Sequence, residues 1–407
     1  MRDRYDVIVL GGGPAGTTVA ALVAAAGHDV LLVERERMPR FQVGESLMPE
    51  SFRTLQRLGV VESLNRSRFV RKIGVAFISS DGRESRSFLY NDCDPRACSE
   101  TWQVERPEFD QMLFDNAAAK GADCRDGVEA VEVLFDGERA VGARLRTEGD
   151  SVRDLQASVV VDATGRRGLL ARHLNLRQTD EQLKKAVIWG HYRNVASEPG
   201  ELSGATLIFP TCRNESWFGL IPLSHGVTSI GVVADGPYLF DGGGEPVEVF
   251  EDELVKCPAL VDRLMHASLV GDLRVAHNLA YSASQPAGAG WVLVGDALGF
   301  VDPLFASGVF LALRGGELAA DAIIAGFSSG DLSACQLGQW ADDFRRGQHR
   351  LRQLAAAFYA RDFSFRTLQQ QPPQQIRQLT LALMGRVFGV EGEAIDSELL
   401  PTLRLLV

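Results

Sequence analysis

The stretch that most limits what this chain can fold into is Val7–Pro49, VIVLGGGPAGTTVAALVAAAGHDVLLVERERMPRFQVGESLMP. An apolar run, Val7–Leu10, meets Gly11, Gly13 and Gly16 in G-x-G-x-x-G spacing. An Ala/Val-rich stretch to Ala26 then has the composition of a helix, and a second apolar run, Val30–Val33, ends on Glu34. Together these predict one β-α-β unit. The first glycine allows a tight strand-to-helix turn, the second lets backbone approach a pyrophosphate, and the third lets helix pack closely on strand. Phosphates would sit at the helix start, around Pro14 and Ala15, where free N–H groups and the dipole's positive end meet the anion. Glu34 is placed to accept hydrogen bonds from an adenosine ribose, with Arg35 beside it.

Length and charge set the frame for this unit. The 407 residues can bury a large core and accommodate two subdomains around one cofactor. A net charge of −11 disfavours nucleic acid or an anionic membrane as the main partner, since either would reward a basic face. No apolar stretch reaches membrane-spanning length and the first strand begins almost at Met1, so a cytoplasmic protein is expected. The six cysteines (Cys93, Cys98, Cys124, Cys212, Cys257, Cys335) show no C-x-x-C pair and no His cluster. Reduced, packed thiols are expected, with no metal site.

The β-α-β rhythm does not continue. After a helix ending near Leu58, Phe69–Phe88 reads as short strands around an Asp81-Gly82 hairpin, an insertion suited to a substrate wall. A helix over PEFDQMLFDNAAAKG follows. Val128–Leu155 is β-rich, with turns at Asp136-Gly137 and Glu148-Gly149, and Ala157–Val161 leads into the turn Asp162–Gly165. Lys185–Ala276 is mostly strands, interrupted by one helical piece, Val247–Met265, and predicts an antiparallel sheet laid over the cofactor domain. Strand, Gly-rich turn and long helix return over Trp291–Ile324. Leu337, Trp340, Phe344, Leu351, Leu354 and Phe358 form one apolar stripe, QQQPPQQ (Gln369–Gln375) predicts a linker, and Ile376–Val390 a last helix.

The expected architecture is therefore α/β: a Rossmann-like FAD-binding domain, an antiparallel β-sheet substrate domain and a helical C-terminal part. The boundaries fall at 1–180 with 277–330 (insertion about 65–100), 181–276 and 331–407.

The late turn Gly295-Asp296, delivered by the strand Trp291–Val294, suits the ribityl chain of a flavin. With Gly11–Gly16 and Asp162–Gly165 in the same order, the chain over roughly 5–330 resembles the flavoprotein superfamily of aromatic hydroxylases, geranylgeranyl reductases and flavin-dependent halogenases. Within it, Gly44-Glu45-Ser46-Leu47-Met48-Pro49 resembles the halogenase element G-E-S-L-x-P. Phe69–Phe77 resembles the segment with the essential lysine, and Trp102–Arg106 the W-Q-V-x-R element. Phe300–Gly308 resembles the halide-holding F-x-x-P-x-x-S-x-G. Two positions depart from the pattern: Gly219 stands at the second Trp of W-x-W-x-I-P (Trp217–Pro222), and Ala306 at the motif serine.

The resemblance implies a halogenase of electron-rich rings, phenols or pyrroles, free or tethered to a carrier protein. It would use FADH2 from a separate flavin reductase, oxygen, and chloride or bromide, by way of a flavin hydroperoxide and hypohalous acid. It assigns Lys72 as the residue that carries the oxidant, and Ser307 and Gly308 to halide. FAD would be held by Gly11, Gly13, Pro14, Ala15, Gly16, Glu34, Arg35, Glu45, Ser46, Arg106, Asp162, Gly165, Gly295, Asp296, Pro303, Gly308 and Val309. Trp217 and Phe305 belong to the substrate pocket, and Trp189, Tyr192 and Phe218 are further candidates for its wall. Phe305 stands where tryptophan halogenases place a glutamate, so the substrate's own phenol or pyrrole donor must activate its ring. The competing readings are an NADPH-reduced aromatic hydroxylase, a geranylgeranyl reductase-like oxidoreductase and a non-catalytic flavin-binding protein. None of them needs Lys72.

Overall fold

The computed structural model describes residues 1–95, 99, 101–147, 149, 151–198, 200–277, 280–359 and 372–401. Cys98, Glu148 and the linker residues Gln369–Gln371 lie outside them. The opening unit forms as the sequence predicts: strand Arg4–Leu10, helix Pro14–Ala25 and strand Val30–Glu34. These strands pair in parallel, and Arg4–Leu10 also pairs in parallel with Val152–Asp162. Trp291–Leu293 and Asp123–Asp126 extend the parallel row on either side. The strands Val128–Asp136 and Arg139–Thr147 hang from Val152–Asp162 as an antiparallel flap, and the short strand Ala287–Gly288, antiparallel to Trp291–Leu293, completes an eight-stranded sheet. Its central strands are buried on both faces, which is why they read as unbroken apolar runs.

The second sheet has seven strands, in the order Ser268–Ala276, Lys185–Arg193, Val227–Asp235, Ser216–Pro222, Thr206–Pro210, Gly74–Ile78 and Ser85–Leu89. All neighbours are antiparallel except Thr206–Pro210 with Gly74–Ile78. The hairpin at Gly82 (φ +74°) therefore serves as an edge of this sheet, reached by the chain long before residue 181. Successive side chains of a strand point to opposite faces. Phe218 and Ile230 pack into a core with Ile188, Phe250 and Leu260, while Trp217, Gly219 and Ile221 face the first domain. The single helical piece expected over Val247–Met265 is two helices, Pro246–Leu254 and Pro258–Leu264, because Pro258 cannot continue the first.

Two short strands join the layers. Val70–Lys72 pairs antiparallel with Thr101–Gln103, placing Lys72 opposite Thr101. The long helix Ser307–Ser329 packs along Pro14–Ala25. The C-terminal stripe splits between helices Ala334–Gly338 and Ala341–Phe358, with Leu337, Trp340, Phe344, Leu351 and Leu354 buried and Phe358 half-buried. The last helix expected over Ile376–Val390 spans Pro373–Leu383 instead and stops before Gly385 (φ +95°), a backbone conformation that side chains resist, and a further short helix, Gly389–Ala394, follows.

Candidate active site

Between the sheets runs a cleft of about 410 Å³. One end is the glycine turn. A Cβ on Gly16 would stand 2.0 Å from the Gly11 carbonyl oxygen, so helix and strand pack as closely as the third glycine requires. A Cβ on Gly13 would meet only Arg40 Nη2, at 3.4 Å, and would otherwise project into the cleft. Gly13 caps the helix start without a side-chain hydrogen bond, leaving backbone donors free. Glu34 accepts from the Gly12 N–H (2.9 Å) and the Glu36 N–H (3.1 Å), and Arg40 Nε lies 3.4 Å from it.

Arg40 and Arg106, both lining the cleft, share one buried partner. Arg40 Nη1 donates to Asp110 Oδ2 at 2.7 Å, and Arg106 donates to the same carboxylate through Nε (2.8 Å) and Nη2 (2.9 Å). Asp110 is fully buried. Burial opposes the charge on Arg40, but Asp110 and Glu34 outweigh it and hold the guanidinium above its ordinary value. Arg40 and Asp110 escape a reading of the sequence. Arg40 ends a charged run, RERMPR, that looks like a solvated loop, and Asp110 sits on an ordinary amphipathic helix.

Further along, Gly165, Gly295, Asp296, Pro303, Gly308 and Val309 line the cleft with Glu45 and Ser46. Burial pushes the Asp296 carboxyl up to about 6. Glu45 Oε1 lies 2.6 Å from His191 Nε2, and Ser46 Oγ 3.2 Å from Thr206 Oγ1. Asp162 does not face the cleft: it accepts from Thr164 N (2.9 Å), Thr164 Oγ1 (2.6 Å) and Leu170 N (2.7 Å), so its carboxylate fixes the turn that presents Gly165. At the start of helix Ser307–Ser329, Ala306 holds a left-handed backbone (φ +55°) and no side chain caps the first N–H groups. Ala306 and Gly308 line the cleft; Ser307 is buried away from it.

Trp189 and Trp217 form the opposite wall. Trp217 Nε1 donates to Tyr359 Oη (3.2 Å), which donates to Asp302 Oδ1 (3.0 Å), and burial pushes Asp302 up to about 7. Phe218 and Tyr192 pack instead on Phe250 behind the sheet. Phe305 is buried edge-on to Phe358, with ring centroids 6.5 Å apart, outside the cleft lining.

Lys72 stands apart from this surface. It is 1% exposed, its Nζ donates to the Leu47 carbonyl at 3.1 Å, and it makes no ion pair among the described residues. Burial alone pulls it down to about 7. Leu47 follows Ser46 of the cleft, so the amine lies one residue behind the wall.

The cleft suits an adenine dinucleotide with a flavin end. An open helix start and two guanidiniums line it, a carboxylate ends the second strand, and a second uncapped helix start lies further along. Fold and site together define an FAD-binding flavoprotein, and the FAD binding domain family matches residues 4–326. The chain is 30% identical over 416 residues to 1H-pyrrole-2-carbonyl-peptidyl-carrier-protein chlorinase of Pseudomonas fluorescens, covering 96% of this chain and 92% of that one. Among solved structures, the flavin-dependent brominase Bmp2 superposes with a TM-score of 0.88 at 28% identity, covering 99% of this chain and 98% of the other. The myxobacterial chondrochloren halogenase CndH gives 0.83 at 30% identity, covering 100% and 96%. The chain belongs to the flavin-dependent halogenases. No helix among the described residues is long and apolar enough to cross a membrane.

Proposed function

We propose that this protein halogenates an electron-rich aromatic ring of phenol or pyrrole type, free or tethered to a carrier protein, with Lys72 delivering the oxidant. The observation that carries this reading is a lysine without a counter-charge, buried one residue behind a flavin-shaped cleft. The full-length likeness to a chlorinase of carrier-bound pyrrole supports the substrate class. Reduced FAD, once bound, supplies with oxygen and halide one equivalent of hypohalous acid.

The protein's residues do the rest. Gly13, Arg40 and Arg106 would hold the phosphates, Glu34 and Arg35 the adenosine end, and Asp296 the polar chain between. The free N–H groups at Ser307 and Gly308 attract halide through the helix dipole. Trp189 and Trp217 exclude water from that end. At Lys72 the ammonium orients hypohalous acid. The oxygen–halogen bond breaks as the ring carbon takes the halogen, and the electron pair stays on oxygen, which leaves as water with a proton from Lys72. The proton displaced from the ring returns to the amine, so ring and hypohalous acid become haloarene and water. A lysine pulled down to about 7 can give and regain that proton near neutral pH.

The reductant comes from a separate flavin reductase, because among the described residues one dinucleotide-type unit is built and the FAD cleft occupies it. The test is mass spectrometry of products from phenols and pyrroles, free and carrier-bound, with reduced FAD, oxygen and either halide. Lys72→Ala should bind FAD and consume oxygen yet lose product on the order of 10²–10⁴-fold. Lys72→Arg should fail too, since guanidinium stays protonated. Halogenation at the wild-type rate in Lys72→Ala overturns the reading, and rapid reduction of bound flavin by NADPH alone overturns the separate reductase.

A further inference from the structure

Lys72 does not lie in a purely apolar pocket. Thr101 is its direct partner in the antiparallel pair Val70–Lys72 with Thr101–Gln103, so both side chains leave the same face as close neighbours. The ring of Tyr90 is centred 5.7 Å from Lys72 Nζ. Tyr90 and Thr101 are both fully buried, and neither hydroxyl has a hydrogen-bond partner among the described residues.

Two such groups beside one amine are costly. A buried hydroxyl without a partner loses its water and gains nothing in return, and native proteins keep such groups rarely. Lys72 cannot satisfy a hydroxyl that needs an acceptor while it is an ammonium, which only donates. One of its N–H groups is already committed to the Leu47 carbonyl. A small molecule that both donates and accepts would satisfy both hydroxyls. Hypohalous acid is one: its O–H needs an acceptor that the ammonium cannot offer, and its oxygen can take donors from either side.

Resting on the assignment of Lys72 above, we propose that Tyr90 and Thr101 complete a three-armed binding site for hypohalous acid. The ammonium and one hydroxyl donate to the oxidant's oxygen, and the other hydroxyl accepts its O–H. This leaves the halogen as the free end, directed at the ring to be substituted. Without the hydroxyls the amine still attracts the oxidant but orients and retains it less well. Tyr90 and Thr101 are thus binding residues for the reagent, kept at the expense of stability.

The test uses the full-length, FAD-loaded protein with reduced FAD, oxygen, bromide and an accepted phenol or pyrrole. Tyr90→Phe and Thr101→Val, which remove the hydroxyls and keep most of the bulk, should each lower halogenated product per flavin oxidised by about tenfold, the weight of one lost hydrogen bond to a charged or reacting group. Oxidant trapped in solution should rise in step, while the rate of flavin oxidation stays at the wild-type value. In the apoprotein the thermal midpoint of both variants should be unchanged or higher, because an unsatisfied group has been removed. A merely structural hydroxyl would instead lower that midpoint and leave product yield intact, and this result overturns the proposal. So does unchanged yield in both variants. Lys72→Ala run in parallel separates the two readings: full halogenation there defeats the lysine assignment itself, whereas its loss together with intact Tyr90→Phe and Thr101→Val defeats only the three-armed site.

Discussion

The two ends of this molecule treat buried charge in opposite ways. Around the glycine turn, Glu34, Arg40, Asp110 and Arg106 form a continuous chain of alternating sign, each within hydrogen-bonding or ion-pair reach of the next. Around Lys72 one cation stands with a single carbonyl and an aromatic face. The first arrangement preserves charge through pairing and so presents fixed guanidiniums to an anion. The second erodes charge through desolvation, leaving an amine that can change protonation state. Burial is common to both, and the presence or absence of a counter-ion decides which chemistry results.

The contrast can be broken at its paired end first. Asp110→Asn would strand Arg40 and Arg106 without their shared carboxylate, and should destabilise the fold by about 3–5 kcal/mol while weakening flavin retention. Chemical denaturation of the apoprotein, with the flavin content of the purified variant, measures both. A loss under 1 kcal/mol would mean that the guanidiniums are not held by Asp110.

The unpaired end should respond in the other direction. Because Lys72 is pulled from 10.5 to about 7 in the fold, the unfolded chain binds more protons between those values, and stability should rise with pH across that window. Lys72→Met should remove this slope and raise stability at pH 7 by roughly 2–4 kcal/mol, after allowing for the lost Leu47 hydrogen bond. Identical pH slopes in the two proteins would contradict a desolvated lysine.

The smallest effect on folding is expected at Gly13, where an added side chain meets only Arg40 Nη2 before entering the cleft. Gly13→Val should keep the thermal midpoint within about 2 °C, since surface-like substitutions cost little, yet purify without flavin. A yellow variant at full occupancy would place the phosphates elsewhere.

How much of this was readable in advance follows from the distance over which each feature is encoded. The glycine turn, Glu34 and the strand before them are local in sequence, and the spacing within the single stretch Val7–Glu34 carries the whole geometry. Lys72 was marked by its neighbours' resemblance to a known segment, but its partners Leu47, Tyr90 and Thr101 come from three other stretches. The pairing of Arg40 with Asp110 crosses seventy positions and leaves no local trace. Asp162 shows the opposite limit: its position at a strand end was legible, but its carboxylate turned inward to Thr164 and Leu170, which composition cannot reveal. The strand Gly74–Ile78, one in from the sheet edge, was likewise visible as strand, while its parallel pairing with Thr206–Pro210 was not.

The enclosure of Lys72 also bears on how long a single molecule keeps working. Tyr90 is itself an electron-rich phenol beside the amine, the neighbouring Trp102 indole lies 4.8 Å beneath the Arg71 guanidinium, and the thiols of Cys212 and Cys335 are exposed. Every one of these groups reacts with hypohalous acid, thiols by climbing an oxidation ladder that is soon irreversible. Under the role proposed for Lys72, a round of turnover that finds no substrate does not end harmlessly: oxidant that does not escape to solution is consumed by the protein that made it. Wear, as much as rate, then depends on how soon a ring arrives to take the halogen.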